Sequence, residues 1–194
     1  MIRILSLLIL IQAISACAGS SLSGGGSDHT RFYSLSSLAP STASNKNLRI
    51  GVGPLEIPRL INRPQIVTRK NETEIIMAEF HQWGGSHREE LIQVLSDNLS
   101  AQLNTENIEQ YPWKFAFKPS YQVRINIERF DGELGKSVTL KARWRLMKGK
   151  QEILVKRAVI NTRIQGNSYN DYVKAQSSAL KTFSKQISDA IKRF

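Results

Sequence analysis

The stretch 121-YQVRINIERFDGELGKSVTLKARWRL-146 decides the fold. Its first half sets Tyr121, Val123, Ile125 and Ile127 at alternate positions, with Gln122, Arg124, Asn126 and Glu128 between them. Its second half sets Val138, Leu140, Ala142, Trp144 and Leu146 against Thr139, Lys141, Arg143 and Arg145. Successive side chains leave opposite faces of a strand, so a period of two marks a half-buried β-strand. DGELGKS supplies turn residues between the two, and a third strand over about 152–163 follows the KGKQ turn. The three predict an antiparallel meander with one apolar and one wetted face.

On both sides of this meander the period lengthens. Before it, Leu91, Leu95, Leu99 and Leu103 recur every four residues, and Ile92 and Val94 widen the stripe. Ser86 and Glu89 stand at capping-box spacing, so a helix is expected over about 87–103. After the meander, Tyr172, Ala175, Ala179, Phe183, Ile187 and Ile191 form one stripe of a second, longer helix opened by Ser168 and Asp171. Lys192 and Arg193 suit its C-terminus.

Nearer the N-terminus, RFYSLSSL at 31–38 reads as a strand and 40–47 as a polar connector. NLRIGVGPLEIP resumes with a β-branched run, and its glycines and Pro54 suggest a strand that ends in, or bulges toward, an irregular loop. Pro58 and Pro64 bracket PRLINRP, which is neither helix interior nor regular ladder and predicts a loop of fixed shape. QIVTR and EIIMAEF, separated by KNETE, predict a hairpin over 65–80. Strands, helix, strands and helix follow one another without regular βα alternation. That order predicts an α+β fold: a mostly antiparallel sheet with two main helices packed on one face.

The chain begins MIRILSLLILIQAISAC, with Arg3 ahead of an apolar run from Ile4 to Ile14. A membrane span needs about 20 apolar residues, so this run reads as a secretory signal. ISAC resembles a bacterial lipobox, in which the cysteine is acylated and exposed by cleavage. Three parts follow: a lipoprotein signal peptide at 1–16, acylated Cys17 with a flexible Ser/Gly tether at 17–30, and one domain at 31–194. Cys17 is the only cysteine, and acylation removes what would be a lone thiol in an oxidising compartment. Its diacylglyceryl and acyl groups are the one covalent addition expected, with no cofactor. Several acyl chains make a stable anchor, so the expected place is on a membrane.

The formal net charge is +11. Arg59, Arg63, Arg69 and Lys70 fall in one segment, Lys136, Lys141, Arg143, Arg145, Lys148 and Lys150 in another, and Lys174, Lys181, Lys185, Lys192 and Arg193 along the last helix. A solvated surface accounts for such spread charge; a shared basic face would suit anionic lipid, polysaccharide or an acidic protein. Export disfavours nucleic acid as a partner. His29, His81 and His87 read as exposed loop histidines, and the spacing of His81 and His87 matches no established metal site. The glycines at 51, 53, 84 and 85 form neither a P-loop nor a dinucleotide fingerprint, and there is no G-x-S-x-G elbow. The expectation is a protein that is not an enzyme and holds no metal.

At GPLEIPRLINRPQIVTR the sequence resembles the PqiC family of auxiliary lipoproteins of ABC-type envelope transport systems. Gly53, Pro54, Pro58, Arg63, Pro64, Gln65, Ile66, Val67 and Arg69 carry the match, with Trp83 ahead of the first helix, LSDNLSAQL within it, the meander, and AQSSALKTFSKQI in the last helix. Asn62 stands where the family usually has Asp, and WGGSHREEL lacks the Glu-Pro that often follows the tryptophan. The resemblance implies an outer-membrane lipoprotein on the periplasmic face that works with an MCE protein resembling PqiB and, through it, the inner-membrane PqiA. It would dock a phospholipid conduit and support membrane integrity, with a homo-oligomeric ring suggested by the partner's symmetry. Ala18 fits outer-membrane sorting, since Asp after the cysteine is the main retention signal. Pro58, Asn62, Arg63, Pro64, Gln65, Arg69 and Trp83 are the family-motif residues and candidates for partner contact. The alternative reading is a basic lipoprotein that binds peptidoglycan or lipopolysaccharide through its charged sheet face.

Overall fold

The computed structural model describes residues 29–40 and 47–194. Among them are eight strands and two helices: β1 (Arg31–Tyr33), β2 (Ile50–Glu56), β3 (Gln65–Arg69), β4 (Ile75–Trp83), α1 (His87–Leu103), β5 (Ile108–Gln110), β6 (Tyr121–Glu133), β7 (Ser137–Lys148), β8 (Gln151–Arg163) and α2 (Tyr169–Ile191). Cys17, Ala18, the signal and most of the tether lie outside the described residues.

The meander forms as its alternation dictates. β6 pairs antiparallel with β7, and β7 with β8, along almost their whole lengths. Val123, Val138, Leu140, Ala142 and Leu146 are fully buried on the inward face, and Trp144 nearly so. The other edge of β6 is shared. β2 pairs with its first half, and β3 meets it only at Arg69 opposite Glu133, both in parallel. β2 and β3 thus run in the same direction along one edge, and 57–64 is an excursion of the chain between them.

The α+β architecture holds, with both helices on one face: α1 lies against β2 and β5, α2 against β6, β7 and β8, and the two helices against each other. The sheet, however, is mixed. The long ladders are antiparallel, but β1 with β4, β2 with β5, and β2 and β3 with β6 are parallel. Each parallel partner lies far off in sequence, where local alternation carries no signal.

Burial explains the helices. Leu91, Leu95 and Leu99 of α1 and Tyr172, Ala179, Phe183 and Ile187 of α2 are fully buried, and each large apolar side chain so removed from water contributes roughly 1.5–3 kcal/mol. The capping box of α2 is complete: Ser168 Oγ accepts from the Asp171 N–H at 3.1 Å, and the Asp171 carboxylate accepts from the Ser168 N–H. In α1 the Ser86 side chain accepts the Glu89 N–H at 3.4 Å, which is half of the expected box.

The strand expected over 31–38 is shorter, ending at Tyr33. Beyond it the N–H groups of Leu35, Ser36 and Leu38 donate to side chains of the helices, namely Glu90, Ser177 and Asn98. With their donors taken by α1 and α2, these residues strap the helix layer instead of joining a ladder. The hairpin strand expected to end at 80 runs on to Trp83, held there by β1.

Candidate functional site

The motif residues gather around the excursion between β2 and β3. The Pro58 carbonyl accepts the N–H groups of Ile61 and Asn62 at 3.1 and 3.2 Å, closing a tight turn. At the far end the Trp83 N–H donates to the Pro64 carbonyl at 2.7 Å, and Gln65 faces Gln82 across the β3–β4 pair. Loop and strand β4 are therefore tied through backbone, as the two prolines imply. Arg59, Asn62 and Pro64 stand exposed on the crest, Pro58, Arg63 and Gln65 are half-buried, and Ile61 is buried beneath. Arg63 lays Nη1 against Met77 Sδ, while its Nε is buried without a hydrogen-bond partner. With Asn at 62, no carboxylate among the described residues pairs with Arg63.

Two motif residues turn inward. Trp83 is 4% exposed and stacks on the His87 ring with centroids 4.1 Å apart. Arg69 Nε donates to Asp131 Oδ1 at 2.7 Å, and Arg129 Nε donates to the same oxygen at 2.6 Å. Asp131 is 2% exposed. Its hydrogen bond holds the Arg69 pKa above the usual value, against the opposing effect of burial. Tyr172 completes the joint, donating from its hydroxyl to the Val67 carbonyl at 2.9 Å; burial, then the Asp131 charge, push its pKa up. One carboxylate thus clamps β3 to β6 where their ladder is only one residue long. Asp131 falls within a turn-like DGELGKS, and only the length of β6 reveals it as core.

His81 and His87 correct the sequence reading of exposed loop residues. His87 opens α1 and is 2% exposed because Trp83 covers it; burial lowers its pKa, with Glu90 pulling the other way. Its Nδ1 lies 4.0 Å from Glu90 Oε2, too far for a hydrogen bond, so that attraction is Coulombic. Burial pushes the Glu90 pKa up, and His87, Ser34 and the Leu35 N–H outweigh it to leave it lowered. His81, in β4, stacks on Tyr169 at 3.9 Å and shares a 2.7 Å hydrogen bond with the Tyr33 hydroxyl. Burial, then the nearby Arg31 charge, lower its pKa. His29 is exposed. Trp83, Arg69, Asp131 and Tyr172 are each committed to a partner inside the domain, so the arrangement fixes the shape of a loop and presents its crest. No group of three or more His, Cys, Asp or Glu among the described residues is placed to hold a metal ion, and no helix among them is long and apolar enough to cross a membrane.

Comparison with known proteins gives the same outline. The family model of the ABC-type transport auxiliary lipoprotein component matches residues 33–188. A solved structure described only as an uncharacterized protein superposes with a TM-score of 0.71 at 17% identity, over 84% of this chain and 99% of its own. Protein XCC0632 from Xanthomonas campestris superposes with a TM-score of 0.62 at 15% identity, over 81% of this chain and 92% of its own. At such identities the likeness is one of fold. Among curated proteins none matches.

Proposed function

The chain belongs to the family of ABC-type transport auxiliary lipoprotein components, and from that premise we propose that it is the outer-membrane subunit of a Pqi-type phospholipid transport system. The observation that carries the proposal is the motif loop: a match to the family along 33–188, combined with the rigid excursion whose crest offers Arg59, Asn62 and Pro64. In this reading Cys17, acylated and followed by Ala18, holds the protein at the periplasmic face of the outer membrane. The crest receives an MCE protein resembling PqiB, which leads through to an inner-membrane PqiA. The role is docking without turnover or cofactor, and a ring of identical copies would match the symmetry of such a conduit.

A rigid loop is both a fold determinant and a good interface element, so the test separates the two. Asn62→Ala and Arg59→Ala remove exposed crest side chains that form no hydrogen bond or ion pair among the described residues; both variants should keep wild-type stability and lose co-purification with the MCE partner. Retention of the partner by the double variant would refute docking through the crest. Photocrosslinking to phospholipid in the same preparation reads whether lipid contacts the domain.

A further inference from the structure

Opposite the helices, the meander exposes a second surface. Its three central rows, read across β8, β7 and β6, are Val155–Arg145–Arg124, Arg157–Arg143–Asn126 and Val159–Lys141–Arg129. In each row two cations face each other directly: Arg145 and Arg124, Arg157 and Arg143, Lys141 and Arg129. Like charges directly opposite one another destabilise a sheet, and here the arrangement repeats in three successive rows. At sheet spacings the patch measures about 10 Å across and 14 Å along.

Internal acids neutralise only part of it. Glu152 pairs with Arg145 at 3.1 Å, and Glu128, displaced by the β6 bulge, pairs with Arg157 at 2.6 Å and Arg143 at 3.9 Å. Arg129 is held by Asp131. Arg124 and Lys141 have no carboxylate within ion-pair distance among the described residues. Arg124, Arg143 and Arg145 line a groove of about 440 Å³ with Glu56 and Glu128 on its walls. Val155 and Val159, 48% and 55% exposed, complete the patch on β8, whose outer edge has no strand partner among the described residues.

We propose that this face rests on anionic phospholipid headgroups of the membrane to which the chain is anchored. Cations with uncompensated charge beside exposed apolar side chains suit a leaflet that offers phosphates and an apolar layer beneath them, and attraction to such a leaflet acts within about a Debye length. The inference rests on the anchored-lipoprotein reading. From Cys17 to Arg31 the chain spans at most about 50 Å even if fully extended, so the domain meets the same leaflet at high effective concentration and a modest attraction is enough. A polysaccharide would be drawn by the charge but gains little from Val155 and Val159, and an acidic protein is separated from lipid by the polyglutamate arm of the test.

The acylated chain in nanodiscs of phosphatidylcholine, with and without phosphatidylglycerol, tests this by amide hydrogen exchange. The free-edge amides of β8 should exchange several-fold more slowly on the anionic discs, and about 0.5 M salt should abolish the difference. The triple variant Arg124→Gln/Lys141→Gln/Arg143→Gln, which leaves every inward residue untouched, should abolish it as well. Equal exchange on the two discs, or a difference that survives in the triple variant, overturns the proposal; so does protection by polyglutamate or lipopolysaccharide alone. Mass measurement of the N-terminus reads the anchor separately. If acyl groups are absent the anchor reading falls, and sedimentation of that chain with vesicles of each composition then decides the face, the anionic vesicles binding roughly tenfold or more tightly if it stands.

Discussion

Asp131→Asn should be among the most damaging single-atom changes available in this domain. The carboxylate is 2% exposed and carries both Arg69 and Arg129 through one oxygen, at 2.7 and 2.6 Å. Asparagine keeps the shape and an acceptor but deletes the charge, leaving two guanidinium groups beside a neutral amide. Breaking a buried ion pair from one side costs about 3–5 kcal/mol. The arginine side chains, 18% and 31% exposed, retain some water, which brings the expected loss to about 2–3 kcal/mol. Against a domain stability on the order of 10 kcal/mol, that is a clear shift in the urea midpoint. The measurement is equilibrium unfolding of residues 17–194 with Cys17→Ala, with an unchanged slope as the sign that the denatured state is the same. Arg69→Gln should couple to it, the double variant costing less than the two single changes together by about 1 kcal/mol or more. A loss below about 0.5 kcal/mol for Asp131→Asn, or strict additivity with Arg69→Gln, would refute the clamp.

Three further outcomes follow from neighbouring geometry. Tyr172→Phe removes the hydroxyl that serves the buried Val67 carbonyl and should cost about 1–2 kcal/mol in the same unfolding assay; a neutral result would mean that the carbonyl finds another donor. Gly132→Ala would place a Cβ 2.0 Å from the Ser137 carbonyl oxygen across the β6–β7 pair, and a loss of about 2 kcal/mol or failure to fold is expected, read by circular dichroism. The His87 pKa is lowered in the folded state by burial. The unfolded chain therefore binds the extra proton first, and stability should fall as pH drops below about 6.5, by at most ~1.4 kcal/mol per pH unit. Glu90, also lowered, adds its own loss only below about 4.5. His87→Phe should reduce the slope between pH 7 and 5, leaving the part due to His81, whose pKa is also lowered, and an unchanged slope would assign it elsewhere.

What the sequence could reveal divides by range. Alternation in 121–146 and the leucine ladder of α1 each report one buried face of one element, so they could be read directly, as could Ser168 with Asp171. Partner choice is another matter. That β2 lies parallel to β6, some 70 residues away, depends on surfaces that only the assembled sheet brings together. RFYSLSSL has the alternation of a strand, yet its later N–H groups are claimed by Glu90, Ser177 and Asn98 of the helices, and no local pattern announces that. β5 is three residues long and leaves no period to detect. At the site, Pro58 and Pro64 announced a fixed loop from their own chemistry. Trp83 and Arg69 belong to the motif, but their partners are His87, at the polar start of the expected helix, and Asp131, in a segment that reads as turn, where local polarity conceals burial.

The burial of those partners also divides the labour within the motif. A residue that is 4% exposed, like Trp83, or committed to a buried carboxylate, like Arg69, acts on a partner only through the shape it maintains. Its substitution should weaken any docking only as far as it weakens the fold. The crest side chains of Arg59 and Asn62 carry no such duty, so their loss should leave the fold standing. Arg63 lies between the two groups, with Nε buried and unpartnered and Nη1 against Met77. A guanidinium left without a carboxylate at a loop edge gains from an acidic partner more than one already paired. If Arg63→Ala remains folded and loses the MCE partner while Arg63→Lys retains it, charge is what the loop contributes. If Arg63→Ala unfolds, the loop is scaffold as far as its crest, and Arg59 and Asn62 alone are left to meet the proposed partner.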